Sequence, residues 1–413
     1  MKENPKIKIE KIVSDGRGIG RYEGKVFFVN DVIPDEIIEV ESINEKKNFT
    51  EAKAVSILKK SPYRINPPCK YYKDCGGCSF QHIDYKYHKV IKTQILKELL
   101  KMNSKINYED GIEFVESIPF FYRNKITLRV NEKGVSLLKE KSNEFVNIES
   151  CQIVNEKINE VIGVLNRMNL YGNNVNKVSI RLSKAGKILL TFYTELIDLS
   201  HSSLFLESLN ADNLILFLKN KKPVYLKGRG ELVNLIDENI FHFSHSNFFQ
   251  VNDFIAEKLY SYLQSVIKEG ENLLDLFSGI GIYSIIFNRL FKKIYSVEGN
   301  QSSVHFQRKN IKENKINNVS VINRFIDSTF ELEKNILFDT VIIDPPREGV
   351  DRIFLKSLLP KIKNQLIYIS CDPATLTRDI NIIKDEFFIR EIKIFDMFPQ
   401  TRHFETVVIF ERI

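Results

Sequence analysis

Apolar and polar positions follow different rhythms in successive stretches of the chain. From Lys6 to about residue 60 the apolar runs are short. Lys6–Val13 alternates, Lys25–Val29 is rich in β-formers, Ile37–Glu41 follows Pro34-Asp35, and Ala52–Leu58 closes the set. Asp15-Gly16-Arg17-Gly18-Ile19-Gly20 punctuates them, and brief strands at this spacing predict a small β-barrel of the oligonucleotide-binding kind. Ser61–Pro68 reads as a linker. Residues 84–102 switch to a helical period, with Val90, Ile91, Ile95, Leu99 and Leu100 on one side and lysines opposite. Phe120–Val130 switches back: in a strand, Arg123, Lys125, Thr127 and Arg129 share one face while Ile126, Leu128 and Val130 share the other. That basic face, next to Tyr122, suits phosphates and a stacked base as well as plain solvent. Residues 150–240 hold further strands and loops, with a basic turn at Lys219-Asn220-Lys221-Lys222-Pro223.

Near residue 246 continuous apolar runs begin to alternate with helical periods. Phe248–Asn252 leads into a helix through Ile267. Asn272–Phe277, Lys293–Val297, Asp339–Ile343 and Gln365–Ile369 read as buried strands, and Phe404–Phe410 as a last strand. Helices are expected from Ile282 to Phe291 and from Pro373 onward. This alternation predicts a doubly wound, Rossmann-like sheet. The expected fold class is thus α/β and β: a small barrel over 1–60, a central mixed α/β domain over 61–245, and a Rossmann-like domain over 246–413.

Composition narrows this picture only a little. In 413 residues, 60 Lys and Arg against 53 Asp and Glu leave a net charge of +7, which permits a polyanionic partner without demanding one. The first residues lack the apolar core of a signal peptide, and no apolar window is long enough to cross a membrane. Five cysteines, an odd number with three clustered, fit a reducing compartment and a metal site better than a disulfide framework. The expectation is a cytoplasmic protein, away from membranes.

Three groups of residues carry candidate chemistry. Cys69, Cys75 and Cys78 follow a C-x5-C-x2-C spacing with Gly76-Gly77 between, and Cys151 is a candidate fourth thiolate. Four thiolates suit tetrahedral zinc and an iron–sulfur cluster equally, and a full ligand set implies a structural role. In the third stretch, Ser278-Gly279-Ile280-Gly281 after a strand, and Glu298 at the end of the next, form a nucleotide-type cofactor turn. With Ser284 at the third glycine position, spacing does not separate NAD from S-adenosylmethionine. Asp344-Pro345-Pro346-Arg347 is a rigid turn suited to holding a planar base beside a methyl donor. Cys371 falls at a strand-to-helix turn, with Asp372 as N-cap and Pro373 in the first helical position. The helix end favours its thiolate and the Asp372 carboxylate opposes it. The strand ends at 277, 298, 344, 370 and 405 should meet in one crevice.

Taken together, the cysteine spacing, Phe249-Gln250-Val251-Asn252, Leu274–Gly281, Asp344–Arg347, Ser370–Leu376 and His403–Val407 resemble the RNA uracil-5-methyltransferases of the TrmA/RumA family. The resemblance spans nearly the whole chain. It is nearest to the 23S ribosomal RNA members, which carry a TRAM domain and a four-cysteine cluster, and residues 1–60 resemble that RNA-binding TRAM domain. It implies a 4Fe-4S cluster on Cys69, Cys75, Cys78 and Cys151, and S-adenosylmethionine bound near Gln250, Phe277, Glu298 and Asp344. It further implies that Cys371 attacks carbon-6 of a uracil and that Glu405 removes the carbon-5 proton, with His403 as the neighbouring competitor. The expected substrate is RNA, ribosomal before transfer RNA, unstacked for attack; the expected state is a monomer. The family usually has Asn at the positions of Asp372 and Ile282, so the thiol is expected to be harder to ionise and one cofactor contact is in doubt. Two other readings remain: an amino-group methyltransferase, needing neither Cys371 nor Glu405, and a non-catalytic RNA-binding protein.

Overall fold

The computed structural model describes residues 4–195, 211–218, 222–333 and 335–413. Of the basic turn at 219–223, residues 219–221 lie outside the described set. The first five strands, β1 (Lys6–Ile12), β2 (Gly18–Tyr22), β3 (Lys25–Val29), β4 (Ile37–Glu45) and β5 (Phe49–Lys59), close into a barrel in the order β1-β2-β3-β5-β4. Ile7 and Ile9 point inward by alternation; a bulge between Ile9 and Lys11 then turns Ile12 inward as well. Closure requires Gly20, because a Cβ there would stand 2.6 Å from the Lys8 carbonyl oxygen. The buried Glu36 carboxylate ties the barrel to the following segment, accepting from the backbone N–H groups of Ile33 and Ser61 and from Arg64.

The helix Tyr85–Leu99 and the strand β6 (Glu113–Val115) come next. Ile91, Ile95 and Leu96 of the helix pack with Leu376 and Ile380, and β6 pairs in parallel with a strand near the C-terminus. Both pieces therefore join the last sheet's core although they precede it by more than 100 positions in sequence. The helix stops at Leu99, short of the expected 102, and a wider turn over Leu100–Ser104 ends at Lys105 in the left-handed region.

A seven-stranded sheet comprises β7 (Lys125–Asn131), β8 (Gly134–Leu138), β9 (Phe145–Asn147), β10 (Val175–Leu182), β11 (Ile188–Thr194), β12 (Asn213–Leu218) and β13 (Val224–Lys227). Their spatial order is β13-β12-β11-β10-β7-β8-β9. The helix Glu156–Leu165 covers one face with Ile158, Ile162 and Leu165. The strand expected from Phe120 starts only at Lys125. Phe121 adopts φ 55°, which breaks the extension, and Arg123 is left as a lone bridge to Val154 and Asn252. Arg123 falls outside the strand but lines one cavity with Lys125 and Thr127, and Lys125, Thr127 and Arg129 keep their alternation with Ile126, Leu128 and Val130.

A hairpin, β14 (Glu231–Ile236) and β15 (Asn239–Ser244), leads to the helix Asp253–Val266 and the large sheet. Its strands are β16 (Gly270–Leu276), β17 (Phe291–Glu298), β18 (Val319–Asn323), β19 (Phe338–Ile343), β20 (Ile362–Ser370), β21 (Phe387–Phe395) and β22 (Glu405–Arg412), ordered β18-β17-β16-β19-β20-β22-β21-β6. Successive residues serve opposite layers: Leu274, Leu276 and Tyr368 join one core, Leu273, Ile367 and Ile369 the other. The helix after β16 runs only from Ile282 to Ile286, not to Phe291. The Asn288 side chain takes the Ile285 carbonyl at 2.5 Å, competing with the helix, and β17 already starts at Phe291. Among the described residues, no helix is long and apolar enough to cross a membrane.

Candidate active site

Strands β16, β17, β19 and β20 run in parallel, and β22 enters antiparallel with Thr406 opposite Ser370. The C-terminal ends of the parallel strands and the start of β22 therefore meet at one edge, as the sequence implied. The turn after β16 is built from left-handed residues: Phe277 at φ 60°, Gly279 at 57° and Gly281 at 87°. A Cβ at Gly281 would strike Gln307, but one at Gly279 would meet nothing within 4 Å, so open space lies above that glycine. Glu298 frames the same space. Its carboxylate accepts the N–H of Gly279 at 2.9 Å and that of Asn300 at 2.7 Å, which fixes it beside the turn. Beneath, buried Asp275 accepts both the backbone N–H and the hydroxyl of Ser284, at 3.0 and 2.6 Å. Burial still pushes its acid up to about 7.

Asp344 follows β19 and accepts the Tyr283 hydroxyl at 3.2 Å; burial pushes it, too, up to about 7. The turn beyond it is clamped from the other side. Buried Asp379 accepts the N–H of Val350 and the hydroxyl of Tyr368, and Gly349, at φ 76°, leaves room for the Arg378 and Asp379 side chains. Tyr283, Tyr260 and this clamp were not singled out from the sequence. Gln250 is buried just ahead of the helix Asp253–Val266, its carbonyl accepting Asn124 Nδ2 at 3.1 Å. That helix carries Tyr260, whose hydroxyl is raised by burial and then by Asp344, Asp253 and Glu405. The Tyr260 hydroxyl is buried without a hydrogen-bond partner, a polar group facing the acids of the crevice.

Cys371 sits where the sequence put it. Ser370 ends β20, Asp372 caps the helix Pro373–Ile383 by accepting from Ala374 and Thr375 at 3.0 and 2.9 Å, and Pro373 opens it. The helix end does not make this a low-pKa thiol. Burial pushes it up to about 12, the Glu405 and Asp344 carboxylates add to the rise, and Arg347 opposes them. Glu405 is buried and its acid is raised well above the ordinary range, by burial and then by Asp344, again against Arg347. Arg347 is thus the cation that acts on both reacting candidates, a role beyond its place in the motif. His403 is pushed down to about 4 by burial and by neighbouring cations, and stays a neutral ring.

A loop from Asp396 to His403 delivers Glu405, and it is tied down from a distance. Lys92, fully buried on the helix Tyr85–Leu99, donates to Asp396 at 2.6 Å, to the His403 carbonyl at 2.9 Å and to that of Phe398 at 3.3 Å. The cysteine segment grips the same loop. Ser79 and Phe80 donate their N–H groups to the Gln400 carbonyl, and Arg402 donates its own to Ser79 Oγ at 2.8 Å.

Cys69, Cys75, Cys78 and Cys151 all line one cavity of about 490 Å³, together with Tyr71, Tyr72 and Phe248. Gly76 has a structural reason, since a Cβ there would lie 2.9 Å from the backbone of Glu140. Asn159 fixes Cys151 by bonding both its N–H and its carbonyl. Among the described residues, no three His, Cys, Asp or Glu side chains group closely enough to hold a metal ion. The expected centre is represented by a shared cavity, not by a formed ligand set.

Comparison with known proteins gives a consistent answer. Residues 86–413 match the family described as tRNA (Uracil-5-)-methyltransferase. The chain is 30% identical to an uncharacterized RNA methyltransferase of Clostridium acetobutylicum, covering 98% of this chain and 96% of that one. It is 27% identical to the 23S rRNA (uracil(1939)-C(5))-methyltransferase of Histophilus somni, over 98% and 95%. The crystal structure of the Pyrococcus abyssi tRNA (uracil-54, C5)-methyltransferase with S-adenosyl-L-homocysteine superposes with a TM-score of 0.79 at 25% identity, covering 98% and 99%. The chain therefore belongs to the tRNA (uracil-5-)-methyltransferase family.

Proposed function

We propose that this chain transfers a methyl group from S-adenosylmethionine to carbon-5 of a uridine in RNA, with ribosomal RNA ahead of transfer RNA as substrate. One observation carries the reading. Adjacent strands β20 and β22, in register at Ser370 and Thr406, bring Cys371 and Glu405 to the same edge. Glu405 is among the groups that raise the Cys371 thiol, and Arg347 opposes the rise in both. The ribosomal relative supports the first substrate, and the archaeal transfer RNA enzyme keeps the second in view.

The chemistry follows from the ring. Carbon-5 of uracil is a poor nucleophile. When Cys371 Sγ, its proton released to solvent, bonds to carbon-6, the pair of the 5,6 double bond becomes an enolate able to accept a methyl cation equivalent at carbon-5. S-adenosylmethionine supplies that electrophilic methyl. Glu405 then takes the carbon-5 proton, the double bond re-forms, and the carbon–sulfur bond breaks to release the thiolate. Phe277, Glu298, Gly279 and Asp344 shape the space where a nucleoside donor fits, the Glu298 carboxylate matching a pair of ribose hydroxyls. Gln250 closes it from the helix side. Asp344, held by Tyr283, faces the target base.

Cys69, Cys75, Cys78 and Cys151 are the ligands we assign to a 4Fe-4S cluster. Their common cavity fits the group, and thiolates select iron–sulfur or zinc over harder metals. Such a cluster would supply the charge that four buried thiolates need, and would pin the segment that grips the Gln400 loop. Residues 1–60 serve as a TRAM-like RNA-binding barrel, 61–245 carry the cluster and 246–413 the methyl transfer. We assign the chain to the cytoplasm as a monomer, where five free cysteines persist reduced.

The test uses ribosomal and transfer RNA transcripts containing 5-fluorouridine, incubated with protein and S-adenosylmethionine. Fluorine at carbon-5 cannot leave as a proton does, so a denaturation-resistant protein–RNA adduct dependent on Cys371 is expected. Methylation of ordinary RNA without any adduct would overturn the scheme in favour of amino-group transfer.

A further inference from the structure

Alternate rows of the seven-stranded sheet face opposite ways. The row Leu128, Val178, Phe192 and Leu216, opposed strand to strand across β7, β10, β11 and β12, is buried beneath the helix Glu156–Leu165. The next row is Arg129, Lys177, Tyr193 and Phe217, paired in the same registers on the other face. It forms a continuous array. Lys177 Nζ lies 3.6 Å from the Tyr193 ring centroid, and Tyr193 stacks with Phe217 at 5.4 Å and 20°. Phe217 meets His245 at 4.5 Å. Arg129, Lys177, Tyr193 and Phe217 line a cavity of about 640 Å³, together with Asn143 and Asn176.

The charge pattern is what needs explaining. Like charges directly opposite on a sheet destabilise it, yet Arg129 faces Lys177, and among the described residues no ion pair joins either to a carboxylate. Among the described residues, Glu195 lines the cavity as well. Aromatic rings, amides and two neighbouring cations in a space this size suit a nucleotide: base against the rings, amides at its edge, phosphate on the cations.

We propose that this cavity binds an RNA nucleotide outside the reacting uridine, its phosphate held by Arg129 and Lys177 and its base packed against Tyr193 and Phe217. This rests on the reading of RNA as substrate. Along β7 the same face continues through Thr127 to Lys125, which line the four-cysteine cavity with exposed Phe248, two residues before Gln250.

The test measures binding and methylation of a long transcript and of a short oligonucleotide holding only the target loop, with the full chain. Lys177→Gln should weaken binding of the long transcript about tenfold, with a smaller effect on the short oligonucleotide. It should also lower the slope of log K against log salt by about 0.7, the release expected for one single-strand phosphate contact. Tyr193→Leu should weaken the same transcript with no change in salt slope, and photocrosslinking of 4-thiouridine RNA should mark Tyr193 or Phe217. Because Tyr193→Leu can disturb the sheet, the exposed Arg129→Gln serves as a second salt-slope variant. Wild-type affinity and slope for both charge variants would overturn the site while the methyltransferase reading stands. Absence of methylation by the wild-type chain on every RNA, with the slope changes present, would sink that reading and leave the site.

Discussion

Two groups of cysteines differ in everything except residue type and one number. Burial pushes both Cys371 and Cys78 up to about 12. Around Cys371 the further causes are the carboxylates Glu405 and Asp344, with Arg347 against them. Around Cys78 a Gln81 contact lowers the thiol, and the neighbours that raise it are the thiols of Cys151, Cys75 and Cys69. A thiol among acids can pass its proton to a changing set of partners, as a reaction cycle requires. Thiols among thiols have no such partner, and become stable anions only if something positive joins them. A raised thiol pKa by itself therefore identifies neither a nucleophile nor a ligand; the identity of the neighbours does.

The sharpest way to break this comparison is to remove one sulfur from each side. Cys371→Ala should lower methyl incorporation by at least about a thousandfold with the melting temperature unchanged, since the nucleophile is lost and a half-buried side chain is trimmed. Cys78→Ala should do the reverse in kind: loss of bound iron and sulfide and a clear drop in melting temperature. Stoichiometric zinc without iron in the wild-type chain would replace the cluster by a zinc centre. A Cys78→Ala protein that kept its metal and its stability would end the contrast.

Buried Lys92 ties the helix Tyr85–Leu99 to the loop that delivers Glu405. Removing one partner of a fully buried ion pair leaves the other uncompensated, at a cost of about 3–5 kcal/mol. Lys92→Met should cost this much in urea unfolding, because Asp396 loses its one ion pair among the described residues. The double variant Lys92→Met/Asp396→Leu should recover most of it. Equal destabilisation in both would show that the carbonyls of Phe398 and His403, not Asp396, set the role of Lys92.

How much of this was legible beforehand depends on how local the cause was. The Cys371 turn was readable because strand, N-cap and proline are contiguous, and so was the glycine turn before Glu298. The barrel was readable from strand spacing and the Rossmann-like sheet from apolar runs. Lys92 and Asp396 are 304 positions apart, and no pattern in the helix Tyr85–Leu99 distinguishes that lysine from its exposed neighbours. Arg123 falls outside the strand expected from Phe120, because the left-handed Phe121 breaks the extension. The row joining Arg129, Lys177, Tyr193 and Phe217 exists only once four strands are aligned. Legibility therefore ended where register and long-range pairing began.

Below the crevice, Asp275 offers a smaller and cleaner probe of burial. Its folded pKa near 7 lies above the roughly 3.9 of an unfolded aspartate. Between those values the native state holds more protons than the unfolded one, so this group's contribution to stability falls as pH rises from about 4 to about 7 and then levels off. Asp275→Asn removes that slope. The wild-type minus variant difference in unfolding free energy should decline by up to roughly 3–4 kcal/mol across the window. A flat difference would mean that the Ser284 hydrogen bonds offset the burial of the charge.

The smallest expected effect tests Arg347, the cation that opposes the rise of both Cys371 and Glu405. Arg347 is exposed, so solvent screens it, and its removal should raise the Cys371 thiol by less than about one pH unit, worth at most about tenfold in rate. Alkylation of Cys371 by iodoacetamide, followed residue by residue with mass spectrometry, reads the thiolate fraction directly. In Arg347→Ala the profile should move to higher pH, whereas labelling of the four other cysteines should not change. In Asp344→Asn it should move to lower pH, because a raising carboxylate has gone. Opposite shifts from these two variants are what a thiol balanced between one cation and several acids must give. If neither moves the profile, burial alone holds the thiol, and its ionisation must wait for RNA to reshape the crevice.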